Sequence, residues 1–207
     1  LISEEGGNMG DYEWKPIDFD HPSILFILED MPKGFIGCPL FYNTYYRAFG
    51  LKGNEKVLDF GCGGGAGSRC LIRFLGNEAH LTCVDISRFW IDRAKRRLAR
   101  FSNTTCRAGD IKTMDIPNCS FDVVTTIHTI HDIGPAERQE VIHALSKKLK
   151  DGGCFFIREP IKKSHGMPVE EIRSLLTNAG LNEIEHAITK SEYQGTFEKI
   201  IELAVNP

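Results

Sequence analysis

The stretch KVLDFGCGGGAGSRCLIRFL, residues 56–75, sets five glycines among seven positions directly after a short apolar run. Gly61, Gly63 and Ala66 satisfy the G-x-G-x-x-G/A spacing of a strand-to-helix turn whose backbone approaches a nucleotide-like ligand. Asp85 closes the next apolar run, 22 residues after Gly63, about the spacing at which a carboxylate takes ribose hydroxyls. These residues together indicate a ligand containing adenosine. Asp59, two residues before the first glycine, narrows the choice. A pyrophosphate would lie against the N-terminus of the following helix, and a carboxylate a few ångströms away would oppose it by about 1–4 kcal/mol. A ligand whose end carries positive charge suits Asp59 better. The plainer alternative is that Asp59 braces the loop through backbone N–H groups.

A second chemical group lies in TTIHTIHDI, residues 125–133. His128 and His131 have free pKa values near neutrality and could take a proton from a bound substrate. Glu159, beside Pro160 at the end of a later apolar run, could face the same space. The competing role for all three is hydrogen-bonded scaffold. The H-x-x-H spacing also raises the question of a metal, but no dependable third ligand is evident, and the expectation is a site without one.

These residues need a scaffold that brings strand ends together. After residue 55 strand-like and helix-like segments alternate, the pattern of βαβ units around a mostly parallel sheet. Strands are expected at 56–60, 80–85, 104–107, 121–127 and 153–158, short and apolar because both faces are covered. Helices are expected at 66–75, at 87–101 with Ser87 as N-cap, at 135–149 from Pro135, and at 168–179 with Gly180 as its stop. Val141, Ile142, Leu145 and Leu149 should form the buried stripe of the third helix. Two closing strands are expected at 182–189 and 196–205, although TFEKIIELAV also suits a helix. Residues 1–55 are rich in aromatics, among them Tyr42, Tyr45, Tyr46 and Phe49. They suggest amphipathic helices packed on the sheet that also lid a pocket.

A chain of 207 residues suits one α/β domain with some decoration. A hydrophobic content of 42% supports a sizeable core, while a net charge of -3 gives no global reason to expect nucleic acid. The basic run RFWIDRAKRRLARF, 88–101, could grip phosphates, yet a helix there needs a solvated outer face in any case. No stretch approaches the roughly 18 apolar residues of a membrane span, and no signal-peptide pattern is present. Seven scattered cysteines without a CxxC pair suggest free thiols and a cytoplasmic setting.

With those features in place the sequence resembles the class I S-adenosylmethionine-dependent methyltransferases, in the branch acting on small molecules. The likeness runs from about residue 55 to 205. VLDFGCGGGAGS looks like the first motif of that family and CVDIS, 83–87, like its second. GDIKTMDIPNCSFDVV, 109–124, resembles the third-strand turn running into strand four. LKDGGCFFIREP, 149–160, resembles the helix end, Gly-Gly turn and fifth strand. Asp151 stands where that turn usually has proline. The short connection 161–167 leaves little room for a lid, which shifts that role to the N-terminal segment.

The resemblance implies a Rossmann-like doubly wound, mostly parallel seven-stranded sheet with an N-terminal helical extension, residues 1–55, preceding a cofactor-binding domain, 56–207. It implies S-adenosylmethionine as cofactor and a small organic acceptor with an O, N, S or C nucleophile. Asp59 and the loop of Gly61, Cys62 and Gly63 would hold the methionine end. Asp85 would bind the ribose, with Ile86 against the adenine, Asp110 on its amino group and Ile111 on its other face. His128 would border both cofactor and acceptor. The absence of an Asn/Asp-Pro-Pro-aromatic run after strand four argues against methylation of adenine N6 or glutamine. An NAD(P)-dependent oxidoreductase and a non-catalytic cofactor-binding regulatory protein are the rival readings.

Overall fold

The computed structural model of the chain describes residue 12, residues 14–25, 27–28 and 41–201. Strands β1 (Lys56–Phe60), β2 (His80–Asp85), β3 (Thr104–Ala108), β4 (Phe121–Ile127) and β5 (Leu149–Lys162) pair in parallel. β6 (His165–Gly166) folds back on the end of β5 as a short hairpin. β7 (Leu181–Ile188) and β8 (Glu192–Lys199) close the sheet, with β8 antiparallel to both β5 and β7. The strand order is β3-β2-β1-β4-β5-β8-β7, the doubly wound arrangement expected. Its order reverses between β1 and β4, and a ligand crevice opens beyond the carboxyl ends of strands at such a point.

Helices α1 (Asn43–Arg47), α2 (Ala66–Leu71), α3 (Arg88–Leu98), α4 (Arg138–Lys148) and α5 (Val169–Asn178) flank the sheet. The Ser87 hydroxyl caps α3 by accepting from the Trp90 N–H at 3.2 Å. Trp90, Ile91, Ala94 and Leu98 form the buried face of that helix, while Lys95, Arg96 and Arg100 meet solvent. The stripe of Val141, Ile142, Leu145 and Leu149 is buried as its spacing predicts. Gly180, at φ 76°, ends α5 in the left-handed conformation.

Alternation along β1 sorts its side chains between two cores. Leu58 and Phe60 pack with Val141 and Ile142 of α4 and Ile172 of α5. Val57 lies on the opposite face with Tyr45, Tyr46, Phe49, Cys70 and Leu71. Period-two alternation places Asp59 on the Val57 face, beneath α2.

Some boundaries differ from expectation. The first helix ends at Leu71 and tightens into a 3-10 turn, Ile72–Phe74. β5 extends beyond 153–158 at both ends, because Leu149 pairs with Phe121 of β4 and β8 and β6 pair along its far end. The last strand is Glu192–Lys199, earlier than 196–205, and residues 202–205 of that expectation lie outside the described residues. Five cysteines, 62, 83, 106, 119 and 154, are free, but Cys70 is disulfide-bonded, contrary to the expectation of free thiols. Among the described residues no helix is long and apolar enough to cross a membrane.

The N-terminal extension is seen in part, since residues 1–11, 13, 26 and 29–40 lie outside the description. Its firm anchor is α1, which buries Tyr45 and Tyr46, followed by Phe49 stacked on Phe156 of β5 with ring centroids 3.7 Å apart. In the helical turn around residue 24, Ile24, Leu25 and Leu28 are exposed; much of the segment expected to pack as helices lies outside the described residues.

Candidate active site

A cavity of about 530 Å3 opens at the carboxyl ends of β1, β2 and β4, where the strand order reverses. Asp59, Gly61, Cys62, Gly63, Asp85, Ile86, Asp110, Ile111 and His128 all line it. Nine residues chosen from sequence are thus brought together. His131 and Glu159 do not line the cavity. Of the two roles open to Glu159, facing the acceptor or a structural hydrogen bond, the geometry has the second: its carboxylate is fully buried behind the strand end.

The glycine loop takes its shape from close approach. Gly61 has φ 70°, and a Cβ there would overlap the Thr129 side chain from the turn after β4. Gly63, at φ 50°, has open space where a Cβ would stand, so its backbone faces the cavity unobstructed. The Gly63 N–H donates to Asp85 Oδ2 at 2.8 Å and the Ser87 N–H to Asp85 Oδ1 at 2.9 Å. One carboxylate therefore ties the first loop to the second. Burial raises the Asp85 pKa, and the two N–H donors only partly offset this.

Asp59 is 4% exposed, and among the described residues its side chain has one hydrogen-bond donor, the Ser68 hydroxyl at 2.6 Å. Burial, helped by the negative charge of Asp85, pushes its pKa up to about 7 despite that bond. Close by stands the Tyr46 hydroxyl, buried, lining the cavity and without a hydrogen-bond partner among the described residues. Asp110 accepts from the Lys112 N–H at 2.9 Å, so it braces its own turn while lining the cavity. Ile86 is 59% exposed on the cavity wall and Ile111 is buried within it.

The segment from Trp14 to His21 lies over this crevice. Trp14 Nε1 donates to the Asp132 carbonyl at 3.0 Å, on the β4 side. On the β2 side the Ser87 hydroxyl donates to the Phe19 carbonyl at 2.9 Å, and the Arg88 N–H to Asp20 Oδ1 at 3.0 Å. Ile17 and Phe19 between these anchors contribute to the cavity wall.

His128 ends β4 at φ 52°, a left-handed conformation uncommon for a side-chain-bearing residue. Its N–H donates to the Arg158 carbonyl at 2.8 Å, and its Nε2 lies 2.9 Å from Glu192 Oε1. Arg158 donates to Glu192 Oε2 from Nε at 3.0 Å and from Nη2 at 2.7 Å. Burial works against ionised Glu192, but Arg158 and His128 outweigh it and hold its pKa below the usual value. Ionised Glu192 can only accept, which assigns the proton to His128 Nε2 and leaves Nδ1 basic. Burial lowers the His128 pKa against the pull of Glu159 and Glu192, so the ring is neutral at pH 7.

Behind that wall, Glu159 accepts from the N–H groups of Thr129 at 3.0 Å and Ile130 at 2.9 Å, and from His131 Nδ1 at 2.7 Å. It shapes the 3-10 turn Ile130–Asp132. Sequence reasoning did not single out Glu192, Arg158, Ser68 or His165. Glu192 was hidden by the misplaced last strand, whose pairing brings it opposite Pro160. Ser68 was legible in principle, because it lies one strand-to-helix turn from Asp59.

Residues 57–153 match the family described as a methyltransferase domain. The chain is 32% identical to the carboxy-S-adenosyl-L-methionine synthase of Pseudoalteromonas translucida over 154 residues, covering 72% of this chain and 63% of that relative. The chain thus spans less than two thirds of the length of this curated relative. A S-adenosylmethionine-dependent methyltransferase from Aquifex aeolicus has the same fold, with a TM-score of 0.68 at 19% identity over 87% of this chain and 95% of that one. The N-methyltransferase NodS from Bradyrhizobium japonicum, solved with S-adenosyl-L-homocysteine, aligns with a TM-score of 0.63 at 21% identity over 75% of this chain and 84% of that one. Residues 57–153 thus carry a methyltransferase domain, and the chain is similar to S-adenosylmethionine-dependent methyltransferases in sequence and in fold.

Proposed function

We propose that this protein transfers the methyl group of S-adenosylmethionine to a small organic acceptor at an O, N, S or C nucleophile. The observation that carries the reading is Asp59, a buried carboxylate that faces the cavity without a cationic partner among the described residues. Charge left uncompensated in this way is costly unless a ligand supplies the opposite sign. The ammonium and sulfonium of S-adenosylmethionine supply it, whereas the phosphates of a dinucleotide would add repulsion.

The rest of the cavity fits the same group. Asp85 offers acceptor lone pairs to ribose hydroxyls, and Ile86 presents an otherwise exposed apolar face to a flat ring. The Tyr46 hydroxyl gains a polar partner that it lacks among the described residues. The bound cofactor would supply an electrophilic methyl on a positively charged sulfur. The residues of this chain align the acceptor with it and exclude water, the strap at 14–21 among them.

Where the acceptor must lose a proton, His128 Nδ1 is the base, and Glu192 holds the ring in the required tautomer. His131 and Glu159 are positioning residues in this reading. The relatives differ in the chemistry their names record, so the small-molecule acceptor is argued from the cavity alone.

Calorimetric titration with S-adenosylmethionine, S-adenosylhomocysteine and NAD(H) tests the cofactor. The expected result is binding of the two sulfur compounds, weakened about 100-fold in Asp59→Asn. Binding of NAD(H) in their place would overturn the reading. With an acceptor found from a panel, His128→Gln should lower kcat by about 10²–10⁴-fold, a far larger effect than on cofactor affinity. An unchanged kcat would remove His128 as the base.

A further inference from the structure

We propose that His131, Asp132 and His165 form a binding site for a divalent transition-metal ion of the zinc type. His131 Nε2 lies 3.1 Å from His165 Nε2 and 3.3 Å from Asp132 Oδ1, and the three donor atoms all lie within 4.8 Å of one another. Ligand atoms about 2.0–2.2 Å from one ion stand roughly 3–3.5 Å apart, so the two spacings at His131 are those of adjacent ligands. The rings of His131 and His165 are perpendicular, with centroids 4.6 Å apart, so their nitrogens converge without stacking.

The surrounding hydrogen bonds prepare the site. Glu159 is fully buried, and one of its oxygens already takes the turn N–H groups of Thr129 and Ile130. Its other oxygen accepts from His131 Nδ1, so in the neutral ring Nε2 carries the lone pair, aimed at the other two donors. A buried carboxylate that fixes the tautomer of a ligating imidazole is the usual outer partner of a histidine metal ligand. With the ring neutral and no metal ion present, His131 Nε2 and the Asp132 carboxylate face each other as two acceptors. One proton can satisfy one of these contacts, whereas an ion satisfies all three donors at once.

The ligands also come from separate parts of the chain. His131 and Asp132 belong to the 3-10 turn after β4, and exposed His165 comes from the β5–β6 hairpin. The set differs from the H-x-x-H pair of the sequence: His128 turns to Glu192, and His131 is joined instead by Asp132 and His165. Two imidazoles and one carboxylate are the donor set of zinc sites that retain an open position. Asp132 is also part of the cavity wall, so an ion here would turn a negative point of that wall positive. The proposal does not depend on methyl transfer, since metal binding is read without any acceptor.

The experiment is titration of the chelator-treated, full-length chain with Zn2+ by calorimetry, repeated with Co2+ and followed by visible absorbance. The expected result is one equivalent at this site, weakened about 10–100-fold in His165→Gln and in Glu159→Gln. His165 is exposed, so His165→Gln should melt like the wild type in the presence of chelator. Asp132→Asn serves as the second ligand variant should that expectation fail. Absence of Zn2+ and Co2+ binding would overturn the proposal. Binding that both ligand variants leave unchanged would overturn it equally, because the ion would then sit elsewhere.

Discussion

Asp59 closes β1 and Glu159 lies near the end of β5, with β4 between them, and both carboxylates are buried. Their surroundings differ in sign. Glu159 receives backbone N–H groups from Thr129 and Ile130 and the ring of His131. Among the described residues Asp59 receives one neutral hydroxyl, from Ser68, and has Asp85 nearby. Burial raises both pKa values, yet the donors around Glu159 reverse that rise while the single donor at Asp59 does not. A compensated buried acid has its partners inside the fold. An uncompensated one marks where the fold expects them from outside, and the cavity lies on the Asp59 side.

The sharpest way to break this comparison is to remove the compensated acid. Glu159→Ala should cost about 3–5 kcal/mol, since it strands His131 and the N–H groups of the turn in a buried place. For a chain of this size that lowers Tm by roughly 6–20 °C in chelator, read by scanning calorimetry. The pH dependence follows from opposite shifts. Glu159 is lowered from 4.5, so its stabilisation is complete above that value and is lost as pH falls through the folded pKa. His131 is raised from 6.5: burial opposes this, and Glu159 outweighs it. Its contribution is complete below 6.5 and is lost as pH rises through the folded pKa. The deficit of the variant should therefore be largest between 4.5 and 6.5.

Removing the uncompensated acid should have the opposite sign. Asp59 is raised from 3.8 to about 7, so ionising it in the ligand-free fold costs at most about 4 kcal/mol. Asp59→Asn keeps an acceptor for Ser68 and should stabilise the free protein toward that limit at pH 8. The gain shrinks as pH falls from about 7 toward 3.8, where the native carboxyl is neutral in both states. The same ionisation governs ligand binding. In the wild type, affinity for S-adenosylmethionine should fall up to about tenfold per pH unit below 7, with proton release on binding. A variant less stable than the wild type at pH 8 would show that Asp59 is braced after all.

How much of this contrast could be read in the sequence depends on how local each partner is. The glycine loop, Asp85 and the strand ends are adjacent in chain order to the motifs that mark them, and the parallel strands were placed with few errors. Asp59 was legible as a misplaced negative charge because its neighbours in sequence are also its neighbours in space. Glu159 was not, because its partners lie 28 to 30 residues away in a turn that the strand pattern does not predict. His165 and Glu192 were missed for the same reason. One sits in a hairpin only seven residues beyond the expected strand, and the other on a strand whose register is set by pairing with β5. The N-terminal strap is held by hydrogen bonds to two separate elements, the turn after β4 and the start of α3, and aromatic composition alone does not specify that path.

The smallest expected effect comes from a third acid, one that is paired but exposed. Asp122, at the start of β4, is 36% exposed and faces Lys150 at 42%. Burial raises its pKa, and Lys150 with the Lys56 N–H together outweigh that and lower it. Water already solvates both charges well, so the pair gains little Coulomb energy and orders two mobile side chains. Asp122→Asn also keeps an oxygen for the Lys56 N–H, which Asp122 Oδ2 accepts at 2.8 Å. The change should cost less than about 1 kcal/mol, and the cost should shrink further at high salt. Cofactor affinity should not move, because Asp122 lies at the amino end of its strand, away from the cavity. A loss comparable to that of Glu159→Ala would mean that counting donors, with burial set aside, decides what an acid is worth in this fold.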